Sequence, residues 1–164
     1  MSFDGFIQLD GIQGESTDDK HRGWIEILSY DWAVRQTVSG TASSVGGASA
    51  ERADVLSFGF TKLLDQASPL LMVACAAGTH FGNVTIELCR AGTQKVKYME
   101  YRLTDCLINS VVACTGDPRA RFPVELVNIS YGKIQWGYTL QNRRGGWAAG
   151  NIACGWSLER NCRI

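Results

Sequence analysis

From Asn83 to its last residues the chain is written almost wholly in a period of two, and that period most limits what it can fold into. Val84, Ile86 and Leu88 alternate with Thr85 and Glu87, and Met99, Tyr101 and Leu103 alternate with Glu100, Arg102 and Thr104. Ile108 to Ala113 continues the series, Gly92 marks a turn, and Gly116-Asp117-Pro118 breaks the chain. Successive side chains of a strand stand on opposite faces, so each segment offers one face to a core and one to water. Val127, Ile129 and Tyr131 then hold one phase while Ile134, Trp136, Tyr138 and Leu140 hold the other. A β-bulge near Gly132 accounts for the slip, because one extra residue exchanges the faces. Gln141 to Asn151 reads as a flexible loop. Its Arg143-Arg144-Gly145-Gly146 and Gly150 do not make a phosphate-binding loop, since no apolar strand leads in and no helix leads out. In the last strand Ile152, Cys154, Trp156 and Leu158 are expected in the core, against a wet face of Ala153, Gly155, Ser157, Glu159 and Asn161.

The N-terminal half carries the exceptions. Phe3 to Asp10 reads as a strand closed by the Asp10-Gly11 turn signal, and a polar loop with three glycines leads into Trp24-Ile25-Glu26-Ile27-Leu28-Ser29-Tyr30-Asp31-Trp32. In that second strand Trp24, Leu28, Tyr30 and Trp32 are expected on the core face, leaving Ser29 and Asp31 toward water. Val38 to Ala50 is a run of small residues with no apolar periodicity, and is either disordered or ordered by something outside the domain. Leu56, Phe58 and Phe60 give a third strand. Then Ser68-Pro69 supplies an N-cap and a first-turn proline, Leu70 to Ala77 are mostly good helix formers, and Gly78 suits a left-handed C-terminal position. With almost no polar residue in it, this helix should be covered on most sides, by its own sheet and by a neighbouring subunit.

The expected total is about eight or nine antiparallel strands and one helix, which fits a closed or nearly closed barrel or a tight sandwich. A chain of 164 residues fits a single domain, residues 1–164, and can bury roughly 70% of its unfolded surface. Sixteen basic residues balance sixteen acidic ones, so no global field draws nucleic acid or an anionic membrane. The only basic concentrations are Arg119 with Arg121 and Arg143-Arg144. Met1 to Gly5 lacks the basic and apolar regions of a signal peptide, so export by that route is not expected. The longest apolar run, Leu70 to Ala77, falls far short of the about 20 residues that cross a bilayer, so no membrane insertion is expected.

Chemistry has few footholds. Cys75, Cys89, Cys106, Cys114, Cys154 and Cys162 form no close-spaced pair and sit mostly among aliphatic neighbours, which reads as free thiols made in a reducing cytosol; disulfides remain open if the protein meets an oxidising exterior. His21 and His80 are the only histidines, without metal-ligand spacing, and no GxSxG elbow occurs. His80, just past the helix, reads as a helix-terminus or packing residue. No catalytic residue, cofactor or metal is assigned, and the protein is not expected to be an enzyme. A monomeric β-sandwich that binds carbohydrate or peptide through its tryptophans is the rival class; the phase of Trp32, Trp136 and Trp156, shared with aliphatics, argues against it.

Gly14-Glu15-Ser16-Thr17, His21 and the Leu28-to-Trp32 strand resemble the Hcp family, haemolysin-coregulated tube proteins of bacterial type VI secretion systems. The likeness recurs at Phe60-Thr61-Lys62, Leu64-Asp65, Ser68-Pro69-Leu70-Leu71-Met72, Ala74-Cys75, Gly78, His80 and Gly155-Trp156-Ser157-Leu158. The resemblance implies a mainly β, antiparallel two-sheet β-barrel with one flanking α-helix and a long extended loop. It implies hexameric rings stacking into a tube, capped by a spike protein of the valine-glycine repeat type and wrapped by a contractile sheath. The tube leaves the bacterial cytoplasm for the exterior without a signal peptide, in interbacterial competition and virulence, and carries small effector proteins in its lumen. Asp31, with Ser29 beside it, falls in the channel as an effector contact, acidic where the family commonly has serine or another small neutral residue. Ser39, Gly40, Thr41, Ser43, Ser44, Gly46, Gly47, Ser49, Gly92, Glu159 and Arg163 fall at contacts within or between rings.

Overall fold

In the computed structural model residues 3–37, 52–92, 95–115, 122–141 and 147–164 are described. The elements are β1 (Phe3–Leu9), β2 (Ile25–Ile27), β3 (Ser29–Asp31), β4 (Val34–Arg35), β5 (Asp54–Val55), β6 (Phe58–Leu63), α1 (Ser68–Ala77), β7 (His80–Arg90), β8 (Lys97–Cys114), β9 (Val124–Gln141), β10 (Trp147–Ser157) and β11 (Cys162–Arg163). All pairings are antiparallel; β4 and β5 form a separate ribbon and the other nine strands one sheet. The small-residue run at Val38 to Ala50, the break at Gly116-Asp117-Pro118 and the Arg143-Arg144 pair lie outside the described residues.

The sheet is organised by β8 and β9, each 18 residues long. Beyond β8 stand β7, β1 and β2; beyond β9, the C-terminal half pairs with β10 and the N-terminal half, from Val124 to Ile129, with β6. One pair of strands therefore serves two walls. It does so by changing faces, and the expected slip at Gly132 is matched by one at Asp105. Tyr101 pairs with Trp136 and Leu103 with Ile134 above this point; Cys106 pairs with Tyr131 and Ile108 with Ile129 below it. The register holds across the switch, so no extra residue is inserted: both strands turn together. Asp105 takes φ of 55°, a conformation aspartate tolerates better than most residues. A Cβ on Gly132 would come within 3.2 Å of the Glu159 carboxylate and 3.3 Å of Asp105 Cβ, so a larger residue at this corner would have to push them aside by a few tenths of an ångström. A true extra residue lies nearby at Asn109, where the pairing shifts between Ile108 and Ser110.

The second strand of the sequence reading is two. Ile25 and Ile27 are buried, Leu28 is 52% exposed, and Tyr30 and Trp32 then turn inward. The expected placement of Trp24 and Leu28 on the core face is thus corrected. Leu28 and Ser29 both point outward where the chain leaves β1 for β6, and this one-residue slip exchanges the faces. The same break corrects the closed barrel. β2 pairs with β1 and β3 with β6, so the edges are joined by the chain through Leu28, whose N–H donates to Thr61 O at 2.8 Å, and not by a continuous ladder.

Between the walls lies a core of Ile7, Ile25, Phe58, Phe60, Ile86, Leu103, Ile108, Ile129 and Ile134, with Trp32, Trp136 and Trp156 packed against it. Trp32 and Trp136 rings lie 5.4 Å apart, Tyr30 stacks on Phe58 at 5.8 Å, and Trp32 Nε1 donates to Tyr131 Oη at 2.6 Å. The last strand differs from expectation: Trp156 and Leu158 reach the core, but Ile152 and Cys154 are exposed. Only the two-residue β11 lies beyond β10, whose outer half outruns the core. β10 also begins at Trp147, inside the stretch expected as loop. In α1, Ser68 is the first helical residue and not the cap, Pro69 stands in the first turn, and Gly78 is left-handed. Leu71 and Ala74 are buried toward β8, whereas Leu70, Met72 and Val73 are exposed, so within this chain the helix is covered along one stripe.

Leu103→Ala should cost about 2–5 kcal/mol in urea unfolding. Ile152→Ala should change stability by no more than about 0.5 kcal/mol. Equal losses would put Ile152 in the core after all.

Candidate functional site

The outer face of the β3–β6–β9–β8 wall follows from register alone. Tyr30 points inward, so Ser29 and Asp31 point out. Ser29 lies opposite Thr61, then Leu126 and Val112; Asp31 lies opposite Gly59, then Asn128 and Ser110. In the first row Ser29, Leu126 and Val112 are exposed and Thr61 is half-buried; in the second Asp31 is exposed, Asn128 and Ser110 are half-buried and Gly59 is buried. The Ser29 and Thr61 hydroxyls share a hydrogen bond at 2.6 Å, and Asn128 Nδ2 donates to Ser110 Oγ at 3.0 Å. Gly59 has no side chain to separate its neighbours, and the Asp31 carboxylate and Asn128 Oδ1 lean over it. Asp31 enters none of the ion pairs among the described residues. Of the other residues singled out in the sequence, Gly92 is exposed in the turn after β7, and Glu159 and Arg163 are exposed at the β10–β11 end. Ser39, Gly40, Thr41, Ser43, Ser44, Gly46, Gly47 and Ser49 lie outside the described residues.

Two ionic clusters were not read from the sequence. His21 is buried, stacked on Phe6 at 4.1 Å and met edge-on by Trp24. Its Nδ1 lies 2.6 Å from Asp18 Oδ1 and its Nε2 2.9 Å from Glu87 Oε2. Lys95 joins Asp18 (2.9 Å) to Asp4 (3.3 Å), while Lys97 bridges Glu87 (2.9 Å) and Glu100, which also holds Arg102. Burial pushes the Asp18 carboxyl up, but hydrogen bonds from Lys95 and His21 outweigh it and hold it down at about 2. Glu87 is lowered in the same way: burial opposes, and His21 and Lys97 prevail.

The second cluster is sealed under the N-terminus of α1. Lys62 Nζ contacts Asp65 Oδ1 (2.7 Å), Leu63 O (2.8 Å), Glu125 Oε2 (2.9 Å) and Ser68 Oγ (3.0 Å), and Ser68 Oγ donates to Glu125 at 2.6 Å. Lys62 and Glu125 are fully buried. Glu125 Oε1, like Trp136 Nε1 in the core, has no hydrogen-bond partner among the described residues. The signal for it was present: Lys62 continues the inward phase of Phe58 and Phe60.

Neither cluster is arranged for chemistry. Ser68 and Lys62 resemble a serine–lysine pair, but both are buried and Lys62 Nζ is spent on four oxygens. His21, Glu87 and Cys89 place ligand atoms within 4.8 Å of one another. A cation does not fit them. Both His21 nitrogens and both Glu87 oxygens are already engaged, Lys95 and Lys97 stand alongside, and burial, then the Glu87 charge, push the Cys89 thiol up to about 11. All six cysteines are unpaired, and Cys154 is exposed rather than buried as expected. His80 is exposed at the start of β7.

A family model described as "Type VI secretion system effector, Hcp" matches residues 6–138. The chain belongs to the Hcp family. Protein hcp1 of Pseudomonas aeruginosa is 30% identical over 162 residues, 98% of each chain. A solved structure of a type six secretion system protein is 30% identical, with a TM-score of 0.93 over 99% of this chain and 100% of that one. Hcp1 from Salmonella typhimurium is 29% identical, with a TM-score of 0.80 over the full length of both, 100% of each. In this Hcp chain the segments that carry the resemblance are the ones that build the buried clusters: His21 the first, and Lys62, Asp65 and Ser68 the second. Gly14 and Glu15 tie the first loop to the helix, accepting from Gln66 Nε2 (2.5 Å) and the Gln66 N–H (2.9 Å).

Lys62→Met should destabilise by about 3–5 kcal/mol, because the buried Glu125 and the half-buried Asp65 lose their cation, and adding Glu125→Leu should restore part of that loss in urea unfolding. Acid should act through Asp18 and Glu87. Their folded pKa values are depressed, so the stability they contribute is complete above the unfolded value of about 4 and is lost as pH falls through each folded value, which for Asp18 is about 2. Asp18→Asn should lower stability at neutral pH and flatten its decline between about pH 4 and 2, read by unfolding at several pH values.

Proposed function

We propose that this Hcp chain, acting as one domain over residues 1–164, is the ring-forming subunit of the inner tube of a type VI secretion machine. Six copies close head to tail into a ring, and rings stack into a hollow filament. The filament is capped by a valine-glycine repeat spike, wrapped by a contractile sheath and driven from the bacterial cytoplasm to the exterior without a signal peptide. Small effector proteins travel in the lumen against Ser29 and Asp31. Ser39 to Ser49, Gly92, Glu159 and Arg163 serve contacts within and between rings.

The observation that carries this reading is the distribution of apolar surface on one chain. Trp32, Trp136 and Trp156 pack inward, as a scaffold requires and as an aromatic binding face does not. Yet Leu70, Met72 and Val73 stand out along α1, and Leu28, Leu63, Leu64 and Phe122 line an open cleft of about 330 Å³ beside Glu15, Glu26 and Asp65. So much aliphatic surface around an otherwise well-packed core suits a subunit that covers it with its copies. The Ser29/Asp31 wall, polar where it carries hydrogen-bonded side chains, suits a wet lumen.

Native mass spectrometry of purified protein should give a hexamer, and negative-stain images annular particles with an open centre. A monomer at every micromolar concentration would overturn the tube reading. Asp31→Arg should leave the ring intact and change effector retention in pull-down; an unfolded variant would mean Asp31 is not on a free wall.

A further inference from the structure

His21 is buried between two carboxylates, with Nδ1 at 2.6 Å from Asp18 Oδ1 and Nε2 at 2.9 Å from Glu87 Oε2. A neutral imidazole has one N–H and one bare nitrogen, and an ionised carboxylate only accepts. The ring therefore needs both protons, since a neutral one would turn a lone pair on Asp18 or on Glu87. A proton on either carboxyl would also satisfy the contact, but both carboxyls are held ionised. Burial pushes Asp18 up, and Lys95 and then His21 bring it down to about 2; Glu87 is lowered against the same burial by His21 and then Lys97.

The surroundings suit a cation. Phe6 of β1 lies parallel to the ring at 4.1 Å, and an aromatic face favours positive charge. On one side Lys95 joins Asp18 to Asp4; on the other Lys97 joins Glu87 to Glu100, which holds Arg102. With His21 charged, the signs alternate from end to end of this series. A neutral His21 would leave two carboxylates facing each other across it. The other groups packed on the ring do not replace its charge: the Cys89 thiol of β7, pushed up to about 11 by burial and then by Glu87, is neutral, the Lys20 ammonium is turned to Lys95 O, and Trp24 meets the ring edge-on. Asp18 belongs to the same loop as His21, so among the described residues Glu87 is the ion-pair partner that ties the ring to another element. That loop also carries Gly14 and Glu15, which hold Gln66 ahead of α1, and Glu15 borders the Leu28–Leu63 cleft.

We propose that His21 is a proton-held clamp: as an imidazolium it pins the loop between β1 and β2 to β7, and loss of its Nε2 proton releases that loop from Glu87. The folded chain keeps a proton that an unfolded imidazole gives up around pH 6.5, so the stability it contributes is complete below that value and falls as pH rises above it. Asp18 and Glu87 release the same loop on the acid side, so the clamp closes only between two titrations. It belongs to the single subunit and does not rest on ring formation.

The test uses the full chain with isotopically labelled histidine, read by magic-angle-spinning NMR at about pH 7.5. His80→Gln, at an exposed position, leaves His21 as the only histidine and assigns its signals. Both His21 ring nitrogens should carry protons. Between about pH 6 and about pH 8 the Tm should fall by several degrees, and tryptic cleavage after Lys20 or Arg22, normalised to a reference peptide, should rise severalfold. Glu87→Gln puts an amide that can donate to a bare nitrogen in place of the carboxylate; it should lower the Tm at the acid end of that range and flatten the decline. A bare His21 nitrogen in the folded chain at about pH 7.5, or a Glu87→Gln chain with the wild-type pH slope, would overturn the proposal. Should Glu87→Gln fail to fold, the protonation of the ring in the otherwise unaltered chain decides alone.

Discussion

The architecture depends on one event, the joint change of face by β8 and β9 where Asp105 meets Gly132. Strand sides alternate without exception, so a pair of 18-residue strands would otherwise show one core face along its whole length and pack against one layer. Reversing both strands together at one step keeps every cross-strand pair matched while the inward set passes from Tyr101, Leu103, Ile134 and Trp136 to Cys106, Ile108, Ile129 and Tyr131. Neither strand loses register at this step, so the ladder is kept through it at little cost, and the shift at Asn109 comes only afterwards. The geometry is paid for locally, by a left-handed Asp105 and a glycine against which Glu159 and Leu158 close.

This explains what the sequence disclosed and what it hid. The phase slip at Gly132 was legible because apolar residues flank it on both sides. Its counterpart at Asp105 was not, since Thr104-Asp105 reads as ordinary polar punctuation within an alternating strand. The Leu28 bend was misread for a related reason. Isoleucines on one phase and tryptophan, leucine and tyrosine on the other are equally apolar, and only the change of partner from β1 to β6 decides between them. Ile152 and Cys154 were assigned inward on alternation alone, which reports that two faces differ but not how far the core extends beneath them. Ser29 and Asp31 were placed correctly on an exposed face because Tyr30 between them had only one place to go. Their partners Gly59, Asn128 and Ser110 come from three other strands, and no local pattern in the sequence joins them.

The ionic clusters answer a different need. Burying Lys62 with Glu125, Asp65 and Ser68 is costly in desolvation, and an apolar replacement would often be as stable. What the cluster supplies is geometry. It fixes the start of α1 to β6 and β9 through oriented hydrogen bonds, in a region where Leu64 and Pro69 are exposed and apolar packing is thin. His21 does the same for the first loop, which has few apolar residues of its own to hold it. Two nitrogens bound by two carboxylates, with Phe6 beneath the ring, set its position on β1 and β7 in a way that nonspecific burial could not.

A subunit that must be held in shape by polar locks, while leaving aliphatic residues bare on its helix and along the Leu28–Leu63 cleft, is divided between an inside that settles its own geometry and an outside that does not. The stacking proposed for this chain asks for that division. Contacts that repeat without closing add up any angular error from one copy to the next, so a subunit must be stiff before it is adhesive. The core and the buried members of the two clusters, His21, Lys62, Ser68 and Glu125, give this chain its stiffness from within.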